Sequence, residues 1–127
     1  MKTYLTILKL LLIGLTTLLL STGAIAANTF SPSLKTKATN VVLVHGLFAD
    51  GSSWSEVIPK LQSVGLNVIS VQNPLTTFPE SLASVQRVLD RQNGPTVLVG
   101  HSFSGMIVSE LGVHKNVTSL VYVAARA

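Results

Sequence analysis

Ser102 sits in Gly100-His101-Ser102-Phe103-Ser104-Gly105, a run with the residue types that nucleophilic acyl chemistry needs. The run approaches G-x-S-x-G, in which a serine stands on a sharp strand-to-helix turn with its hydroxyl clear of the sheet. Small neighbours let the strand and helix come close. Free N–H groups at the start of the following helix favour negative charge developing at the reacting carbonyl. The strict pattern is not met, because Ser104 occupies the last glycine position and Gly105 comes one step later. The plainer alternative is a turn in which Ser102 only caps a helix.

The elements that would position this serine can be read around it. Thr96 to Val99 is an apolar strand running into the turn, and a helix follows to about Leu111, stopped at Gly112. Upstream, Asn40 to Val44 is an unbroken apolar run ending in His45-Gly46, as expected of a strand buried on both faces. Leu47 to Ser52 is a loop. Ser53 and Glu56 fit a capping box, with Trp54, Val57, Ile58, Leu61 and Val64 at helical spacing and Pro59 predicting an irregular first turn. Gly65 is a natural stop. Asn67 to Val71 is a further strand. Thr77 and Glu80 form a second capping box, opening a helix with Leu82, Val85, Val88 and Leu89 on one face and Gln86, Arg87 and Asp90 outside it. Asn93-Gly94-Pro95 ends that helix, and Val117 to Ala124 is a last strand. Such alternation predicts an α/β fold with right-handed crossovers and parallel strands. His45-Gly46-Leu47 and Ser102 then both follow strand carboxyl ends, the edge where such sheets bind ligands. No G-x-G-x-x-G or Walker loop argues for nucleotide binding.

Residues 1–26 read as a secretory signal peptide. Lys2 and Lys9 supply the basic start, Leu10 to Leu20 the short apolar core, and Ala24-Ile25-Ala26 a small-x-small cleavage site. The apolar run is shorter than the roughly 20 residues a membrane span needs, so no stable span is expected after cleavage. Export to the periplasm or medium is expected instead. Residues 27–39 read as a polar linker, and residues 40–127 as part of a single domain. The formal charge of +4 over 127 residues is partly a targeting feature, because two of the nine Lys/Arg lie in the signal, leaving seven against five Asp/Glu. With those seven scattered, nucleic-acid binding is not expected. The chain has no cysteine, which excludes disulfides, thiol metal sites and lipoprotein attachment.

VVLVHGLFADGSSWSEVIPKL, the GHSFSG turn and LVYVAARA together resemble the α/β-hydrolase superfamily, in particular small bacterial esterase-like hydrolases related to methylesterases and hydroxynitrile lyases. The resemblance covers about Asn40 to Ala127. It implies a three-layer sandwich with a mostly parallel sheet, here about four strands and three helices of an incomplete core. It also implies Ser102 as nucleophile and the Leu47 and Phe103 backbone N–H groups as oxyanion hole. His45, Gly46, Gly100, His101 and Gly105 are supporting residues in that comparison, with His45 structural and His101 orienting the turn. The reaction implied is acyl transfer from a small-molecule ester, with neither metal nor cofactor.

The family order of catalytic residues is Ser, then Asp/Glu, then His. After Ser102 the chain holds only Glu110 and His114. His114 lies on the order of 18 Å away along a helix at 1.5 Å per residue, so it is expected to be a surface residue, and Glu110 a solvated one. The expectation is an N-terminal portion of an esterase-like hydrolase, truncated before its acid and base and inactive as given. A non-catalytic ligand-binding or vestigial protein on the same half-fold is the alternative.

Overall fold

The computed structural model describes residues 37–127; the expected signal peptide and most of the expected linker lie outside them. The strands are β1 (Asn40–Val44), β2 (Asn67–Val71), β3 (Thr96–His101) and β4 (Val117–Val123). The helices are α1 (Ile58–Gln62), α2 (Phe78–Asp90) and α3 (Gly105–Leu111), with 3-10 turns at Gly51–Trp54 and Ser102–Ser104. The four strands form one sheet in the order β2-β1-β3-β4, and every pairing is parallel.

The apolar runs become strands because both their faces are covered. All five residues of β1 are buried. Alternate side chains feed two cores. Val42, Val44 and Leu98 pack with Val85, Leu89, Ile107 and Val108 of α2 and α3 on one face. Val41, Leu43 and Val99 pack with Trp54 and, from around α1, Val57, Ile58 and Leu61 on the other. The result is helix, sheet, helix in three layers. The face that α2 turns to the sheet carries buried Ser81 and Ser84 beside Val85 and Leu89. These small polar residues let the helix lie close, and a search for apolar spacing passes over them.

The second capping box forms as expected: Thr77 Oγ1 accepts from the Glu80 N–H and donates to the Glu80 carboxylate. The first does not. Asp50, not Ser53, caps the segment, its carboxylate accepting from the Ser52 N–H at 2.8 Å. Hydrogen bonds from Ser52 hold that carboxyl below its ordinary range. The expected helix from Ser53 splits into a 3-10 turn and a short α1. Pro59, in the first turn of α1, cannot donate and crowds the turn before it, so the α-helix starts only at Ile58, with the proline in its first turn.

Candidate active site

The strand order makes a crevice. From β1 the chain crosses to β2 on one side, then passes over to β3 on the other, so the connections leave adjacent strands β1 and β3 in opposite directions. Ligands of open parallel sheets bind where this reversal separates the loops at strand carboxyl ends. Leu47 follows β1 and Ser102 follows β3, so both flank that reversal. Backbone strain gathers on the same edge. Among the described residues, the non-glycine residues with positive φ are Phe48, Leu75, Ser102 and Ala124, one after each strand. Such conformations cost about 1–3 kcal/mol each and cluster at functional sites.

Ser102 has φ of 54° and is exposed, at the point where β3 gives way to the Ser102–Ser104 turn and then α3. Glycine is required on either side of it. A Cβ on Gly100 would lie 2.6 Å from the Ser104 carbonyl oxygen and from Val108 Cγ2. On Gly105 it would lie 1.9 Å from the Arg126 carbonyl oxygen. The close approach expected of the last motif glycine therefore falls to Gly105. Ser104 is fully buried, and its hydroxyl donates to the His45 carbonyl. Where the sequence showed only a small residue, the structure shows a tie between the serine turn and the His45-Gly46 loop.

His45 is buried and fully engaged. The Asn73 N–H donates to its Nε2 at 3.1 Å. Nε2 is therefore the bare nitrogen, and Nδ1 carries the proton that goes to the Gly46 carbonyl at 2.9 Å. That carbonyl belongs to the planar Gly46–Leu47 peptide, so fixing it also fixes the plane of the Leu47 N–H. Gly46 lies close under the turn: a Cβ there would be 3.0 Å from Ser102 Cβ and from His101 Nδ1. His101 is half-buried, its ring edge-on to Trp54 with centroids 6.4 Å apart. Phe103 packs edge-on to Phe78 at 6.2 Å, joining the turn to the start of α2.

Leu47, Ser102 and Phe103 line one pocket of about 280 Å³ with Met106, Ala124 and Arg126. Among the described residues, neither the Leu47 nor the Phe103 amide donates to a backbone carbonyl outside a helix or strand. Met106, Ala124 and Arg126 were not found from sequence. Met106 follows the motif, and the other two reach the pocket only through the turn after β4, whose course no local pattern announces.

No imidazole is hydrogen-bonded to Ser102 among the described residues, which include every histidine of the chain. His45 has both nitrogens occupied. His114 is more buried than the surface residue expected. Only 8% of its side chain is exposed, and its Nε2 lies 3.1 Å from Asp90 Oδ1. Its Nδ1 accepts from the Asn116 N–H, just before β4 and so at the amino edge of the sheet, opposite Ser102. Glu110 is exposed, as expected. Among the described residues no three His, Asp or Glu side chains converge as metal ligands, and no helix is long and apolar enough to cross a membrane.

The model of the alpha/beta hydrolase family matches residues 41–127. Over 86 residues the chain is 31% identical to a nonribosomal peptide synthetase, agiA, of Aspergillus flavus, covering 60% of this chain and 1% of that one. Over 100 residues it is 27% identical to a pyrethroid hydrolase of Sphingobium wenxiniae, covering 68% of this chain and 36% of that one. The crystal structure of the pyrethroid hydrolase PytH superposes with a TM-score of 0.63 at 24% identity, over 72% of this chain and 41% of that one. This last likeness is one of fold. The chain thus spans well under half the length of each.

Proposed function

The chain belongs to the alpha/beta hydrolase family, and we propose that within it Ser102 is the nucleophile of an esterase, with the Leu47 and Phe103 N–H groups as its oxyanion hole. One observation carries the reading: a serine held at positive φ on the carboxyl edge of the sheet lines a single pocket with both amide-bearing residues. Ser102 Oγ attacks the ester carbonyl carbon, and the carbonyl electron pair moves onto oxygen, where the two N–H groups hold it. The serine proton passes to a base. Collapse breaks the bond to the alkoxy oxygen, which takes that proton from the base and leaves as the alcohol, and water then releases the acid from the acyl-serine. The hydrolases among the similar chains lend support to the hydrolytic chemistry, not to a particular substrate.

No group among residues 37–127 is placed to take the serine proton, so the base and its orienting acid must come from outside them. The chain as given is accordingly proposed to be inactive or nearly so. The same observation favours, as a second reading, a ligand-binding protein that does no chemistry. Phenylboronic acid separates the two at neutral pH. If Ser102 is a nucleophile beside an oxyanion hole, boron becomes tetrahedral on the protein, seen by boron NMR, and the adduct is lost in Ser102→Ala. Binding with boron still trigonal supports the second reading. Export, with cleavage after Ala26, is also part of the proposal and rests on the sequence of residues 1–26.

A further inference from the structure

We infer that Arg126 makes the Ser102 pocket selective for esters whose acid or alcohol part carries a carboxylate, an inference that rests on the esterase reading. Five of the six lining residues are uncharged, and four of those, Leu47, Phe103, Met106 and Ala124, are apolar. Arg126 is the one charge. Its backbone is held in place, because the carbonyl packs directly on Gly105 at the start of α3, and Ala124 at φ 43° turns the chain to bring it there.

Nothing else in the described chain answers that charge. None of the five acidic side chains pairs with it. Asp50 accepts from Ser52, Glu80 from Thr77, and Asp90 from His114. Glu56 and Glu110 are exposed, and among the described residues no carboxylate pairs with Arg126. A guanidinium presents a planar fork of donors that matches a carboxylate in two parallel hydrogen bonds. Arg126 lines an apolar pocket of about 280 Å³, and its guanidinium would orient a small ester there by its free carboxylate while the apolar walls hold the remainder.

Benzoate and benzamide have nearly the same shape and differ in charge, so they test this without turnover. Their dissociation constants are measured by ligand-observed NMR on the full chain, on Arg126→Gln and on Arg87→Gln, the last lying in a separate surface hollow. The expected result is benzoate binding at least tenfold more tightly than benzamide, with the preference abolished in Arg126→Gln and kept in Arg87→Gln. The preference should also shrink as salt is raised, because an exposed pair is screened. Equal binding of the two ligands, or a preference that survives Arg126→Gln, overturns the inference and leaves the esterase reading standing. No binding of either ligand also overturns the inference, while the esterase reading is judged by the boronate adduct on Ser102.

Discussion

His45 can orient but cannot catalyse. Its Nε2 lone pair is taken by the Asn73 N–H and its Nδ1 proton by the Gly46 carbonyl, so it has no free nitrogen to accept the Ser102 proton. A serine hydroxyl without a base is a poor nucleophile at neutral pH. The chain should therefore hydrolyse p-nitrophenyl acetate no faster than background. Turnover that disappears in Ser102→Ala would contradict this and point to His101, the remaining imidazole near the serine. Ser104 offers a second test at this scale. Ser104→Ala removes the donor from a buried carbonyl and should lower stability by about 1–3 kcal/mol in urea denaturation. It should also weaken the boronate adduct, since the tie between the two loops is lost. The types of these residues were legible in the sequence. The bonds of His45 and Ser104 were not, since they join positions 28 and 59 residues apart, and no local spacing encodes such pairs.

Elements were legible where burial and periodicity agree. β1, β2, β3 and α2 lie within about two residues of where their apolar patterns place them. The segment after Asp50 was misread because Ser53-x-x-Glu56 satisfies a local capping pattern while Pro59 and the burial of Trp54 impose a 3-10 turn. His114 was misread because distance along a helix says how far a residue is from the serine, not what lies beside it. It ties the end of α2 to the turn before β4 through Asp90. The hydrogen bond from His114, with a smaller one from Gln86, holds the Asp90 carboxyl below its ordinary 3.8. A depressed folded value contributes stability above the unfolded pKa, and that contribution is lost as pH falls through the folded value. Thermal midpoints of the parent and Asp90→Asn should thus differ at pH 6 and converge as the pH falls below the ordinary aspartate value of 3.8. A gap that stays constant over that window would show that the contact is not ionic. The β3–α3 junction gives a steric test. Gly100→Ala puts a Cβ against backbone that cannot yield and should cost about 1–3 kcal/mol.

At the scale of the molecule, coverage of the sheet is uneven. α2 and α3 cover one face and α1 with the Gly51–Trp54 turn the other, but the second cover reaches only β1, β2 and β3. On β4, Val121 pairs in register with buried Val99 yet is 41% exposed, and Leu120, Tyr122 and Val123 are each more than a third exposed. Among the described residues β4 has no strand on its outer side, and it contains neither proline nor charge. An edge of this kind offers unpaired N–H and C=O groups beside apolar side chains, which is a template for joining another chain. Residues 27–127 should therefore associate through β4 at micromolar concentration. Val121→Lys places a charge on that edge with a stem long enough to lie along the strand while its ammonium reaches water. It should shift the sedimentation profile toward monomer without conferring esterase activity. A parent chain that sediments as a single monomer and melts in one sharp transition would show that the four-stranded sheet needs no neighbour on its β4 side.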